Sequence, residues 1–261
     1  MDKVLRIAAS GMNAQKLYID VIANNLANVN TTGFKKTDLE FQDLFYDQLK
    51  KPGESVANAT SRPTGLELGN GVQAAATQRS FQQGLITETG NPLDVAIQGD
   101  GFFVVRLPDG QQAYTRDGGF KLSADGTLVT SQGYIIEPEL TIPEDAQEIT
   151  IRPDGTVEVL VYGDKEPIPV GQLELARFVN PAGLESMGQN LYKETVASGQ
   201  PFNGTPGEQG LGVLHQGFLE TSNVDVVEEM VRMIEAQRAY EINAKAIKTA
   251  ENMYEVENRL K

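Results

Sequence analysis

Residues able to carry out chemistry are scarce in this chain of 261 residues. It contains no cysteine and one histidine, His215, so disulfides, thiolate metal sites and cysteine nucleophiles are excluded. A Ser-His-Asp triad would have to include His215, but no serine stands in the Gly-x-Ser-x-Gly context that exposes a nucleophile. We therefore expect no catalytic residue, and we interpret His215 as a surface or interface side chain.

Glycine-rich and acidic motifs add no binding site. Gly99-Asp100-Gly101 and Gly69-Asn70-Gly71 are too short for a dinucleotide-binding fingerprint, and we interpret both as turns. The Asp-Gly pairs lack the spacing of a calcium-binding EF-hand loop, and the acidic residues show no local pairing typical of a general acid and base. The sequence therefore indicates a protein without a cofactor or metal ion that is not an enzyme.

The charge and hydropathy patterns exclude further classes. The net charge is −14 at pH 7 and its acidic excess lies in the middle of the chain, whereas nucleic-acid binding needs a basic face. No apolar run is long enough to span a membrane, and the N-terminal stretch lacks the apolar core of a signal peptide. We expect no nucleic acid, no membrane insertion, and either a cytosolic protein or export without a cleavable signal.

Glycine and proline positions divide the chain into two helical ends and a turn-rich middle. All 12 prolines lie between Pro52 and Pro206, and neither glycine nor proline follows Gly217. This pattern favours long helices at both termini. We predict an N-terminal helix over 1–33, an extended connector with a polar insertion over 34–65, a central β domain over 66–217 and a C-terminal helix over 218–261.

Both ends carry apolar residues at the alternating spacing of three and four that is typical of helices packed lengthwise on other helices. The N-terminal segment has one such stripe, whereas the C-terminal segment has two. A helix with two apolar stripes needs partners on two sides, and an exposed stripe marks an association surface. Packing of both helices on the central domain is the alternative. The positions that we expect at subunit contacts are Leu5, Met12, Ile19, Ile22, Leu26, Val29, Val226, Met230, Met233, Tyr240, Ile247, Met253, Tyr254 and Leu260.

The middle of the chain alternates short apolar runs with turn signals such as Pro108-Asp109-Gly110 and Asp125-Gly126. Residues 101–107 and 127–130 are typical of strands, and 173–179 alternates as a half-buried strand does. Such spacing favours an antiparallel sandwich or barrel-like domain. We therefore predict an α+β fold in which the terminal helices pair as a coiled-coil-like layer and the central domain is mainly antiparallel β.

Separated motifs resemble the flagellar rod and hook proteins. The stretch IANNLANVNTTGFK at 22–35 looks like their N-terminal signature, and SNVD at 222–225 with AQRAYE at 236–241 looks like its C-terminal partner. Between them, GDGFFV at 99–104 and YTRDGGF at 114–120 resemble the same family. The motif residues that the resemblance singles out are Asn24, Asn25, Asn28, Gly33, Phe34, Gly101, Phe102, Phe103, Gln237, Arg238 and Tyr240.

The resemblance implies a structural subunit of a helical tube that crosses the periplasm as a drive shaft and transmits torque toward the hook. It implies export through the flagellar type III channel without a cleaved signal. The implied partners are copies of the chain, other rod and hook proteins, the ring proteins around the rod and the export apparatus. We expect the terminal helices to be disordered or only partly helical in the free subunit and to become ordered on assembly.

The length of the chain favours a rod protein over the larger hook protein. The polar stretch 46–65 resembles an insertion of the distal-rod branch, and we expect it to reach a neighbouring subunit. A proximal-rod paralogue and a hook-type axial subunit are the alternatives within the family. A β-rich adhesin or other binding module is a further alternative, which would bind a ligand and would not need its ends.

Overall fold

A computed structural model describes residues 2–50, 55–56, 60–61, 64–162 and 166–260. Much of the polar stretch 46–65 therefore lies outside the described residues. Two units are distinguished by their internal contacts. The helical unit comprises Met1–Leu26, Thr37–Gln78 and Asp225–Lys261, and the β unit comprises Ala27–Lys36 and Arg79–Val224.

Two long helices dominate the helical unit, α1 over Asp2–Ala27 and α2 over Val226–Leu260. Asp225 begins α2 as its N-cap, because its carboxylate Oδ1 accepts hydrogen bonds from the backbone N–H groups of Val227 (2.8 Å) and Glu228 (3.1 Å). The absence of glycine and proline from α2 lets it continue for 35 residues.

Short strands complete the helical unit. β1 pairs with β6, β2 pairs with β5 in antiparallel fashion, and β3 pairs with β4. The backbone N–H of Val72 donates to Ser10 Oγ on α1 (3.3 Å), so β6 is fastened to the first helix. The strands are β1 Thr37–Asp43, β2 Asp47–Lys50, β3 Ser55–Val56, β4 Thr60–Ser61, β5 Leu66–Leu68 and β6 Val72–Arg79.

The β unit is built from antiparallel strands and one 3₁₀ turn at Pro181–Gly183. Its strands are β7 Ile86–Glu88, β8 Val95–Gln98, β9 Phe102–Arg106, β10 Gln112–Thr115, β11 Lys121–Leu122, β12 Leu128–Val129, β13 Ile135–Glu137, β14 Ala146–Ile151, β15 Thr156–Val161, β16 Ile168–Gln172, β17 Leu175–Arg177, β18 Glu185–Gly188, β19 Leu191–Lys193, β20 Phe202–Gly204, β21 Val213–Gln216 and β22 Phe218–Glu220.

One sheet of nine strands runs in the order β11-β12-β13-β9-β10-β19-β18, with β17 pairing with both β9 and β20. β14, β15 and β16 form a second, three-stranded sheet. The last strands return to early ones, since β21 pairs with β8 and β22 pairs with β7. The residues just before α2 thus pair with the first two strands of the β unit and bring the end of the unit back to its beginning.

The core of the β unit covers both faces of β9. Phe103 and Val105 belong to a large apolar cluster, and Phe102 and Val104 belong to a smaller one on the other face. The Phe103 ring meets Phe120 edge to face, with the ring centres 4.8 Å apart. Because all four side chains are buried, β9 is the central strand of a closed core.

The predicted α+β class, with two terminal helices and a mainly antiparallel β domain, is confirmed. Strands are found within the predicted runs 101–107 and 127–130. The run 173–179 forms only the three-residue strand β17, and adjacent Leu175 and Ala176 are both buried because an apolar cluster covers each face of the strand.

Candidate assembly surfaces

Two contacts define how α1 and α2 meet. Asn25 Nδ2 donates to Glu229 Oε2 (3.2 Å), and a methyl group placed on Gly11 would lie only 2.9 Å from Asn243 Nδ2. Asn25, near the end of α1, meets Glu229 near the start of α2, and Gly11, earlier in α1, meets Asn243, later in α2. The two helices are therefore antiparallel. Gly11 therefore allows the close approach that a side chain there would hinder.

Alanines are frequent on the packed face of α2. Its buried and half-buried positions recur at intervals of three and four, as expected for one helix lying along another. They include four alanines and three large apolar or aromatic residues, whereas most of the large apolar side chains of α2 point elsewhere. The repeating positions are Glu229, Arg232, Met233, Ala236, Ala239, Asn243, Ala246, Ile247, Ala250 and Tyr254.

A polar cluster fixes the ends of both helices to β1. Asn25 Nδ2 also donates to the Thr37 carbonyl (2.9 Å), and the Thr37 N–H donates to Asn25 Oδ1 (3.0 Å). Arg232 Nη1 donates to Asp38 Oδ1 (2.8 Å) and also contacts Glu229 Oε1 (3.4 Å). Since Asn25 and Glu229 are almost completely buried, each needs the partners that the other elements supply.

The expected contact residues divide into an inner and an outer group. On α1, Ile22 is buried, and Leu5, Met12, Ile19 and Leu26 are half-buried, while Val29 lies in the turn after α1 ends. On α2, Met233, Ile247 and Tyr254 are half-buried, whereas Val226, Met230, Tyr240 and Met253 are exposed. The side chain of Leu260 lies outside the described residues.

A third apolar stripe of α2 was anticipated only in part from the sequence. Val227, Met230, Val231 and Ile234 stand at positions i, i+3, i+4 and i+7, and all four are about half or more exposed, from 48% for Ile234 to 72% for Val227. We call these residues the quartet. Met230 is one of the expected contact residues, whereas the other three are not, although the spacing contains the signal.

A groove of about 440 Å³ lies between α1 and the β1–β6 pair. Leu17, Val21 and Leu39 supply its large apolar side chains, and the three alanines 74–76 line it from β6. Asp20 is the one charged residue among the described residues that line it, and no lining residue comes from α2. Asn24, from the N-terminal motif, also borders it.

Gly33 shows why one motif residue has to be glycine. Its φ is +67°, in the left-handed region, and a methyl group there would lie 2.8 Å from the backbone carbonyl carbon of Arg116. Gly33 N–H donates to the Glu220 carbonyl (2.8 Å). The chain after α1 thus runs beside the chain that precedes α2.

Glu220 is the centre of a buried ion cluster, which we call the ionic node. Its Oε1 accepts from Lys35 Nζ (2.6 Å) and from the Gly84 N–H (2.8 Å), and its Oε2 lies 3.5 Å from Arg116 Nη1. All three charged side chains are 3% exposed or less. Burial lowers the pKa of Lys35 and of Arg116, and the Glu220 carboxylate opposes that shift in both.

Residues from four of the five motif stretches meet around this node, and only 236–241 does not. Arg116 also donates to the Gly99 carbonyl (2.8 Å), and its guanidinium lies 5.5 Å from the centre of the Phe102 ring. Asn223 Oδ1 accepts from the Lys36 N–H (2.7 Å), and its Nδ2 donates to the Ser80 carbonyl (3.0 Å). The sequence motifs therefore specify one structural junction in the β unit.

The other motif residues lie in the core, in the turn after α1 or on the surface of α2. Gly101 has a φ of +142° and packs against Leu175, while Phe102 and Phe103 belong to the core on opposite faces of β9. Phe34 is half-buried, and Asn28 accepts from Thr31 in the turn after α1. Gln237, Arg238 and Tyr240 are exposed on α2. These three are the motif residues on α2, and all of them are open to contact by another molecule.

The described residues contain no arrangement for catalysis or metal binding that we can identify. His215 Nε2 lies 2.6 Å from Gln98 Oε1, and the ring stands edge to face with Phe218. Within the described ranges no group of three or more His, Asp or Glu side chains could hold a metal ion. No helix in the same ranges combines the length and hydropathy needed to cross a membrane.

Family models match three regions of the chain. The model described as flagella basal body rod protein matches residues 5–35, and the flagellar hook protein FlgE/F/G D1 domain matches residues 96–159. The C-terminal domain of flagellar basal body rod FlgEFG proteins matches residues 215–260. The matched regions include both helices and the central strands of the β unit.

Relatives match over nearly the whole chain. The flagellar basal-body rod protein FlgG of Borreliella burgdorferi is 53% identical over 100% of this chain and 99% of its own length. FlgG of Caulobacter vibrioides is 47% identical over 99% of both chains. FlgG of Bacillus subtilis is 39% identical over 96% of this chain and 97% of its own length.

Proposed function

The chain belongs to the flagellar basal-body rod protein family, and we propose that its helical unit polymerises into the tubular distal rod of the bacterial flagellum. It is a structural subunit of the basal-body rod rather than an enzyme, and family membership supports association with further copies and with other rod and hook proteins. One observation carries the mechanism: α2 keeps large apolar side chains exposed after α1 has covered its small-residue face.

Polymerisation supplies the burial that a single chain lacks. Met230, Tyr240 and Met253 are each 41–51% exposed, and every Å² of apolar surface removed from water contributes about 25 cal/mol. Ordering α2 costs about 1–2 kcal/mol per residue, so a lone chain gains little from holding it in place. Neighbouring copies supply the additional burial, which makes ordering of the helices favourable on assembly.

The inferred rod has the helices inside and the β units outside. The antiparallel contacts between α1 and α2 support a coiled-coil-like pair, and pairs from successive copies would form a layer around a central channel. Of the four predicted segments, 1–33, 34–65, 66–217 and 218–261, the first and the last contain the two helices of this layer, α1 and α2. The acidic outer surfaces would repel one another and limit lateral bundling.

The inferred rod crosses the periplasm and acts as a drive shaft toward the hook. The ring proteins around the rod and the export apparatus are proposed partners because the family resemblance implies them. The expected contact residues act in two steps in this proposal. Ile22, Met233 and Ile247 stabilise the helix pair within one copy, and exposed residues such as Tyr240 and Met253 meet the next copy.

The test replaces exposed apolar residues of α2 in the native bacterium. A strain whose chromosomal gene is deleted receives wild-type protein, Tyr240→Asp or Met253→Asp, with Val196→Asp as control because Val196 is fully exposed in the β unit. Electron microscopy of isolated basal bodies should show distal rods with the wild type and the control, and none with the two α2 variants. Normal rods in both α2 variants would overturn the mechanism, and normal rods in the deletion strain without a plasmid would overturn the function.

A further inference from the structure

The quartet and the groove are both apolar surfaces of the helical unit, and no described residue covers either of them. Val227, Met230, Val231 and Ile234 lie on the side of α2 turned away from its packed positions. The groove lies between α1 and β6, and Leu17 at its border is 46% exposed. An amphipathic helix with anchors at i, i+3, i+4 and i+7 is the standard occupant of an apolar groove.

We propose that the quartet of one copy docks in the groove of the next copy. The proposal rests on the proposed function, since it names the surfaces by which the polymer grows. The occupant is a second copy of this chain, because self-association follows from family membership and α2 presents the required pattern of anchors. On the packed face of α2, Glu229 already contacts α1 and Arg232 already contacts β1.

The dimensions of the two surfaces agree. The quartet extends over seven helical steps, from Val227 to Ile234, which is about 10 Å along the helix axis. The α1 side of the groove is formed by Leu17, Asp20, Val21 and Asn24, which span the same seven steps. The alanines of β6 carry only methyl groups, so a second helix can approach the strand closely.

One charge on each surface is complementary. Asp20 is the charged residue of the groove, and the quartet's face of α2 continues with Arg238, Glu241 and Lys245. Neither Asp20 nor Arg238, the charged residue of that face nearest the quartet, has an ion-pair partner within the described part of the chain. An Asp20 carboxylate near Arg238 would favour this docking over a groove-to-groove contact, which would bring two Asp20 carboxylates together.

Docking of the quartet into the groove explains an open polymer. The two surfaces are different, so each copy binds one neighbour through its quartet and another through its groove. Such a head-to-tail contact continues as a helical assembly unless its rotation closes a ring, whereas a contact of one surface with itself stops at a dimer. One pair of complementary surfaces is thus enough to join copies into an open chain.

Because the chain has no cysteine, disulfide trapping gives a direct test. The double variant Ala76→Cys with Val231→Cys is expressed in the deletion strain, and isolated rods are treated with a mild oxidant. We expect a ladder of dimers, trimers and longer chains in non-reducing gels, because a disulfide needs Cα atoms within about 7 Å. Each single variant should give no ladder, and the pair Ala76→Cys with Val196→Cys serves as the matched control.

The outcomes separate this proposal from the function. Intact rods with no ladder from the Ala76–Val231 pair, or an equal ladder from the control pair, would overturn the docking and leave the function standing. A second variant, Ala76→Glu, should abolish rods because it fills the groove with a charge, while Ala124→Glu at an exposed turn should not. Normal rods with Ala76→Glu would also contradict the proposal.

Discussion

The central strand of the β unit and the longest helix of the helical unit differ in how far one chain covers them. In the β unit, β9 buries large apolar side chains such as Phe103 and Val105, and three charged groups are buried with their partners, although Val196 is fully exposed. In the helical unit the most buried apolar residues of α2 are alanines, while Met230 and Val231 remain half exposed. The core strand β9 is therefore covered within one chain, whereas α2 keeps large apolar side chains exposed, and an exposed apolar stripe is typical of an association surface.

This contrast assigns different meanings to the motifs. Gly33, Lys35, Arg116 and Asn223 belong to the junction of the β unit, so a change there should reduce folding stability. The exposed apolar residues of α2, such as Val231, are not buried by the described part of the chain, so a change there should reduce assembly and leave stability intact. Mutations can therefore test both expectations, a loss of stability from changes in the junction and a loss of assembly from changes on α2.

The largest stability effect is expected from Glu220→Ala. The change leaves Lys35 and Arg116 buried without their carboxylate, and breaking a buried pair on one side costs about 3–5 kcal/mol. Urea unfolding followed by tyrosine circular dichroism measures the loss. Glu139→Ala is the control, because its ion pair with Arg106 is exposed and should change stability by less than about 1 kcal/mol. Equal losses in the two variants would contradict the structural role of the ionic node.

A smaller loss of unfolding free energy, about 1–3 kcal/mol, is expected from Gly33→Ala. Alanine is strained in the left-handed backbone conformation of residue 33, and its methyl group would also press against the Arg116 backbone. Gly133→Ala is matched, since Gly133 also has a positive φ, of 88°, but has open space around it. The unfolding free energy of Gly33→Ala should fall further than that of Gly133→Ala, and the difference measures the close approach alone.

Gly11→Leu should weaken the helix pair without affecting the β unit. The longer side chain would meet Asn243, and overpacking costs about 1–3 kcal/mol. Limited proteolysis should cut α2 faster in this variant while the β unit persists as a resistant fragment. An unchanged rate of cleavage in α2 would show that Gly11 does not control the approach of the two helices.

The smallest effect on stability is expected from Val231→Asp. Val231 is half exposed and the monomer offers it no described partner that a carboxylate would lose, so the unfolding free energy should change by about 0.5 kcal/mol or less. The same variant should form no rods. A large loss of stability would place Val231 inside the fold of the single chain and remove the contrast between the units.

Local patterns were sufficient to predict the two helices, the central strands and the α+β class, because apolar spacing and turn residues act over a few positions. They were insufficient for the ionic node, since Lys35 and Glu220 are 185 residues apart and either would be expected on the surface. They also missed Ala236 and Ala250, the most buried apolar residues of α2, because small side chains contribute a weak apolar signal. The predicted Met233 and Ile247 are half-buried beside them.

Amide hydrogen exchange on the isolated monomer, compared with assembled rods, tests most directly whether the helices become fully ordered only when neighbouring copies bind. The backbone amides of residues 236–256 should exchange orders of magnitude faster in the monomer than those of β9 and β10, and should become protected in the rod. Amides of α2 that are as protected in the monomer as those of β9 would show that the chain already covers its helices, and would contradict the account.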